Sequence, residues 1–206
     1  DLVRSRGLGD VYKRQDPDGA KRERGLRTWN LQEGRPTILV TGGSQGAVSI
    51  NAALADAVER LTGAGFQILH AYGRKNDAPV AHDHYTAVPY IDDMEAAYAV
   101  ADVVVCRSGA MTVAENSAAG IPAIYIPLPH GNGEQGLNSA HLVDAGAALR
   151  IDDAALSGDV LVDKLLPLVA PEARATMRAA LKDSGAGSVA EDLAARIAAA
   201  AGKDTK

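Results

Sequence analysis

Three short stretches of the sequence carry residue types that could do chemistry, and each follows an apolar run. The first is Thr41-Gly-Gly-Ser-Gln-Gly-Ala47. Glycines leading from a strand into a helix bring backbone N–H groups close to a bound anion, most often a phosphate. The spacing matches neither GxGxxG nor GxxxxGK[ST], and Ser44 and Gln45 add polar side chains. A tight strand–helix turn that holds no ligand would use the same glycines.

The second stretch is Cys106-Arg-Ser-Gly-Ala-Met-Thr-Val-Ala-Glu115. Gly109 permits close approach, and the N–H groups of Ala110, Met111 and Thr112 would open a helix. A helix start carries roughly half a positive charge, so a nearby anion gains about 0.3–1 kcal/mol, or ~2 when partly buried. Arg107 would add a charge-assisted contact. Glu115 has two readings. Thr112-x-x-Glu115 has capping-box spacing and would start the helix at Val113, later than Ser108-Gly109 suggests. Alternatively, a carboxylate one turn inside an anion-binding helix would accept hydrogen bonds from sugar hydroxyls. Spacing alone does not choose between them.

The third stretch runs from Pro127-Leu-Pro-His-Gly-Asn-Gly-Glu-Gln135 to Asn138. Two prolines and two glycines make it a loop. It presents His130, Asn132, Glu134, Gln135 and Asn138, a polar set suited to a neutral polyol. A solvated loop is the alternative. Elsewhere the chemistry thins out. His82 and His84 flank Asp83 without a third metal ligand at useful spacing, so a surface loop is expected. His70 ends a buried strand and reads as a satisfied core residue. His141 has no paired nucleophile, and Cys106 reads as a small buried hydrophobe.

These stretches need elements to hold them. Short runs, apolar on both faces, are expected as strands over Thr37–Thr41, Phe66–Ala71, Thr86–Ile91, Asp102–Cys106, Pro122–Ile126 and Ala147–Ile151. Between them lie helical patterns. Ala47, Ile50, Leu54, Val58 and Leu61 mark a buried stripe that Gly63 and Gly65 stop. Asp92-Asp93 cap a helix through Ala101, and Gly120-Ile-Pro122 ends the next. Helices are expected at about Asp159–Val169, Glu172–Lys182 and Val189–Ala201. The alternation implies an α/β fold, a Rossmann-like doubly wound parallel sheet of about six strands with extra carboxyl-terminal helices. Its ligands should sit beyond the carboxyl ends of the strands.

The 206 residues suffice for a sizeable core, and 47% hydrophobic with 23% charged residues fits a globular domain. A net charge of −5 without a clustered basic face argues against nucleic acid as a partner. The single cysteine precludes an internal disulfide. Residues 1–15 share no periodicity with the rest and read as an artefact or disordered; residues 16–36, with the charge run Lys21-Arg-Glu-Arg24, read as a linker or loose helix. The main domain is placed at 37–188, with a helix and a frayed tail at 189–206.

Taken together, GGSQGA, YIDDMEAAYAVADVVVCRSGAMTVAE and PHGNGEQxxN, in this order, resemble the donor-binding half of the MurG family. These are family 28 N-acetylglucosaminyltransferases of GT-B fold that convert lipid I to lipid II in bacterial peptidoglycan synthesis. The resemblance runs from about Thr37 to Val169. It implies UDP-N-acetylglucosamine (UDP-GlcNAc) as donor, its diphosphate on the glycine turns, and no cofactor or metal. By motif, Ser44 and Gln45 would lie near the sugar and diphosphate. Tyr90, the Ile91 backbone and Met94 would line the uracil pocket. Arg107, with Gly109 and the Ala110, Met111 and Thr112 amides, would face the phosphates, and Glu115 would bind the ribose hydroxyls. Glu134, Gln135 and Asn138 would serve the sugar; many relatives have Gln-Gln at the first two positions. The family's amino-terminal GGTGGH motif, its acceptor site and its proposed catalytic base find no match, so no catalytic residue is assigned. The resemblance implies an acceptor, lipid I, that would bind through the missing half, and a peripheral enzyme at the cytoplasmic face of the bacterial cell membrane. A stand-alone donor subunit of a two-chain UDP-GlcNAc transferase and a binding-only nucleotide module are the alternatives.

Overall fold

The computed structural model describes residues 19–129 and 133–185. The readings of residues 1–15, of His130 and Asn132, and of a helix over Val189–Ala201 lie outside them. Six parallel strands form one sheet: β1 (Thr37–Thr41), β2 (Gln67–Ala71), β3 (Tyr85–Val88), β4 (Val103–Cys106), β5 (Ala123–Tyr125) and β6 (Ala148–Arg150). Their order across the sheet is β3-β2-β1-β4-β5-β6. The reversal of direction on either side of β1 places a crevice beyond the carboxyl ends of β1 and β4, which pair through Thr41 and Cys106.

Alternation along the strands builds a core on each face. Ile38 and Val40 of β1 pack with Val103 and Val105 of β4 against helix α2 (Val48–Gly63) and helix α6 (Gly158–Leu165). Leu39, Leu69 and Val104 point the other way, toward helix α3 (Met94–Val100) and helix α4 (Ala110–Ala118). All five expected stripe positions are buried, Ala47 as the N-cap of α2 and the other four on the helix. Helix α5 (Glu134–Asp144) follows the third polar stretch, and α7 (Pro171–Asp183) closes the described chain. Two short 3-10 turns, Asp153–Ala155 and Leu166–Val169, bracket α6.

Two expectations change. Of the two readings of 16–36, linker or loose helix, the helix is the one present: α1 spans Ala20–Thr28 and is docked rather than loose. Its charge run clamps it to α3: Arg24 pairs with Asp93 at 2.7 Å, Lys21 with Glu95 at 3.1 Å, and Arg22 donates to the Ala99 carbonyl at 3.0 Å. Gly25 lets the helices touch, because a Cβ there would lie 2.7 Å from Val100 and 2.8 Å from the Ala96 carbonyl. The third strand ends at Val88, not Ile91. Pro89 has no N–H to continue the ladder, so the chain turns off before Tyr90. The remaining strands differ from expectation by about one residue at their ends.

Candidate functional site

Beyond the β1 and β4 termini lies a cleft of about 250 Å3. Its walls come from the three polar stretches. Gly42, Gly43 and Ser44 contribute from the first, Arg107, Gly109, Thr112 and Glu115 from the second, and Gln135 from the third. Tyr90, Ile91 and Met94 close another side.

The turn after β1 is built on glycine. Gly43 and Gly46 have φ of 86° and 75°, a region that side chains rarely adopt. Gly46 also seats the turn on the chain that leaves β2, since a Cβ there would meet the Tyr72 carbonyl oxygen at 2.1 Å. The Asn76 amide donates to the Gln45 and Tyr72 carbonyls at 2.9 and 2.8 Å, fixing that packing.

Helix α4 begins at Ala110 with Gly109 as N-cap and no side-chain cap bond. Thr112 and Glu115 therefore both lie inside the helix, and the capping-box reading is wrong. The cap residue would have been Thr112, but Val113 N–H already donates to Gly109 O at 3.0 Å. The first-turn amides of α4 thus have no intrahelical acceptor and no side-chain cap beside Gly109. Glu115 sits one turn further in, half-buried, and its Oε2 accepts from the Tyr98 hydroxyl at 3.1 Å. Tyr98 lines the cleft and was missed. The available signal was its i,i+4 spacing from Met94, which puts both on one face of α3.

Arg107 lines the cleft, and its guanidinium is also bonded within the fold. Nη1 contacts Asp153 at 2.5 Å and donates to the Ile126 and Pro127 carbonyls at 3.2 and 3.3 Å. Nη2 donates to the Ser49 hydroxyl at 2.9 Å. Its charge is matched by the Asp153 carboxylate.

Of the third stretch, Gln135 lines the cleft, and its Oε1 accepts from Leu128 N at 3.0 Å. Asn138 instead supports the neighbouring turn, donating to the Ser108 carbonyl at 3.0 Å, while the Ser108 hydroxyl donates to Gln135 O at 2.8 Å. Glu134 is exposed and outside the cleft lining, as are Gln45, Ala110 and Met111. Tyr90 is 38% exposed, and the Arg74 guanidinium lies 4.4 Å from its ring centroid, a cation–π contact with no sequence signal. Cys106 is buried and its thiol is pushed up to about 12 by desolvation, so at neutral pH it is a small hydrophobe rather than a nucleophile.

The sequence profile of the "Glycosyltransferase family 28 C-terminal domain" matches residues 37–197. The chain belongs to glycosyltransferase family 28. A Corynebacterium efficiens protein named UDP-N-acetylglucosamine--N-acetylmuramyl-(pentapeptide) pyrophosphoryl-undecaprenol N-acetylglucosamine transferase is 54% identical over 186 residues, covering 90% of this chain and 52% of the relative. A protein of the same name from Corynebacterium glutamicum strain R is 55% identical over 183 residues, covering 88% and 51%. The crystal structure of Acinetobacter baumannii MurG superposes with a TM-score of 0.65 at 28% identity, over 84% of this chain and 53% of that one. The chain therefore spans about half the length of the curated relatives it matches. The doubly wound parallel sheet expected from the strand–helix alternation is present, and it matches the carboxyl-terminal domain of a GT-B glycosyltransferase, as the family resemblance implied.

Beneath the glycine turn after β1 lies a buried polar relay. The Asn51 amide donates to Tyr72 O at 2.9 Å, so its Oδ1 is left to accept from His70 Nε2–H at 3.0 Å. His70 Nδ1 then accepts from the Tyr85 hydroxyl at 2.7 Å. This satisfies the core histidine expected from sequence. Burial lowers its pKa from the ordinary 6.5 to about 4. Between those values the unfolded chain binds a proton that the folded chain does not. Stability contributed by neutral His70 is therefore complete above about pH 6.5 and is lost as pH falls toward 4. Each pH unit in that window is worth up to about 1.4 kcal/mol. Denaturant midpoints of wild type and His70→Gln, measured from pH 7 to pH 4, should show the stability difference shifting steadily against wild type. A pH-independent difference would show that His70 titrates in the fold as it does in the unfolded chain, and that burial does not shift it.

Proposed function

We propose that this chain is the donor-binding half of an inverting transferase that moves N-acetylglucosamine from UDP-GlcNAc to lipid I, forming lipid II of peptidoglycan. The observation that carries the reading is the position of Glu115: a carboxylate in the cleft wall, one turn beyond an uncapped helix start. That pairs a ribose-hydroxyl acceptor with a diphosphate site. The relatives of over 50% identity supply the donor sugar and the acceptor by their names.

In this reading the uracil lies against Tyr90, Ile91 and Met94, with the Ile91 backbone at the base edge. Glu115 accepts the ribose hydroxyls, and Tyr98 holds the carboxylate in place. The Ala110, Met111 and Thr112 amides, with Gly43 and Ser44, take the diphosphate. As the bond from the anomeric carbon to the phosphate oxygen lengthens, negative charge grows on the departing UDP. Fixed amide dipoles at the α4 start stabilise that charge without reorganising. No metal ion is required, because those dipoles take the part a cation would play. Gln135 and Glu134 serve the sugar hydroxyls, both being able to accept hydrogen bonds. Attack comes from the acceptor hydroxyl on the opposite face of the sugar, held by the other half of the enzyme at the cytoplasmic surface of the membrane, and the hydroxyl's proton passes to a base in that half.

The test is a chimera. Fusing residues 19–206 to the amino-terminal half of the Corynebacterium glutamicum relative should give an enzyme that transfers N-acetylglucosamine to a lipid I analogue. The 206-residue chain alone should bind the donor and transfer nothing. A folded chimera that binds UDP-GlcNAc and never transfers it, or turnover by the chain alone, would refute the assignment.

A further inference from the structure

Arg107 joins four segments that are remote in sequence but adjacent in the fold. Ser49 belongs to the first turn of α2, directly after the glycine turn. Arg107 itself lies two residues before Gly109, the N-cap of α4. Ile126 and Pro127 begin the loop that leads to Gln135, and Asp153 starts the 3-10 turn after β6. One guanidinium therefore pins together the ends of β1, β4, β5 and β6. Asp153 is 18% exposed and Arg107 15%, so water screens the pair only weakly. The Ser49 hydroxyl closes a triangle, donating to Asp153 Oδ1 at 2.7 Å while accepting from Arg107 Nη2.

We infer that Asp153 and Ser49 are positioning residues for the donor's diphosphate, acting through Arg107, which serves as a strut under both anion-binding turns rather than as a phosphate ligand. This rests on the donor-site reading above. Neither Asp153 nor Ser49 contributes to the cleft lining. Their effect is to hold the start of α2 against the start of α4, so that amides from both turns converge on one place. Such amide sites lose strength quickly when displaced: a misplacement of about 1 Å can cost on the order of 100-fold in rate.

The strut and the alternative predict opposite signs. If Arg107 left Asp153 to grip the diphosphate, Asp153→Asn would free the cation and tighten UDP binding. As a strut, Arg107 loses its anchor in Asp153→Asn, and UDP binding should weaken about 10-fold. Uridine, which has no phosphate, should bind as before. Calorimetry with UDP and an NMR titration with uridine, on the 206-residue wild-type chain and on Asp153→Asn, separate the cases. Ser49→Ala removes one bond to Arg107 and one to Asp153; it should move UDP affinity in the same direction by a smaller factor, which keeps the test open if Asp153→Asn folds poorly. Wild type that fails to bind UDP would sink the donor-site reading itself. Wild type that binds, with a folded variant showing unchanged or tighter UDP affinity, or equal losses for UDP and uridine, would overturn the strut.

Discussion

Gly46→Ala is expected to destabilise the protein by about 2–5 kcal/mol and to disrupt the turn after β1, while Gly43→Ala, three residues earlier, costs only about 1–2 kcal/mol. Both glycines have left-handed φ, at 75° and 86°. An L-residue in that conformation costs roughly 1–2 kcal/mol, and this part is common to both substitutions. The surroundings differ. Around a Cβ at Gly43 nothing lies within 4 Å, whereas at Gly46 the Tyr72 carbonyl oxygen would be 2.1 Å away and the Asn76 amide nitrogen 2.7 Å away. Backbone oxygen cannot swing aside like the end of a side chain. The turn must separate from the Tyr72-Gly73 segment, and overpacking of this kind adds about 1–3 kcal/mol. The Asn76 bridge would also break. Urea midpoints for the two alanine variants against wild type make the comparison directly. Equal losses would mean that the close approach at Gly46 yields easily, and that φ alone sets the cost.

Much of this fold was readable from the chain. The strands are apolar on both faces because helices cover both faces, so they stand out as short unbroken runs such as Ile38-Leu-Val40 and Val103-Val-Val105. The α2 stripe was legible because one face of the helix meets the sheet. The glycine turns were legible because they are local devices: the backbone geometry needed at Gly43, Gly46 and Gly109 is set within a few residues. Helix α1 was not. It is polar, and what holds it is Arg24 and Lys21 on the acids of α3 and a close approach at Gly25, none of which leaves a periodicity. The fate of Arg107 was not legible either. A basic residue beside a phosphate turn invites a ligand role, but its partner Asp153 lies 46 residues away and reaches it only because β4, β5 and β6 are neighbours in the sheet. Glu115 stood between two readings on spacing, and only the observed start of α4 at Ala110 removed one of them.

Glu115 is therefore the residue on which the account is most exposed. Its carboxylate is in the cleft wall, steadied by the Tyr98 hydroxyl, and it closes no capping box. Hydrogen bonds to a charged acceptor are worth about 1.5–3 kcal/mol. Glu115→Ala should accordingly weaken UDP binding roughly 10- to 100-fold. Alanine carries no helix-propensity penalty, but it removes the bond from the Tyr98 hydroxyl, a loss of about 0.5–1.5 kcal/mol in stability, so affinities are compared after correction for the folded fraction. A UDP analogue lacking both ribose hydroxyls provides the control, since it has nothing to offer the carboxylate. Calorimetric titration of wild type and Glu115→Ala with UDP and with the dideoxy analogue closes a double cycle in which the coupling belongs to the carboxylate–hydroxyl contact. The account predicts a 10- to 100-fold loss for UDP alone, with the analogue binding both proteins about equally. Unchanged UDP affinity in a folded Glu115→Ala protein would contradict it.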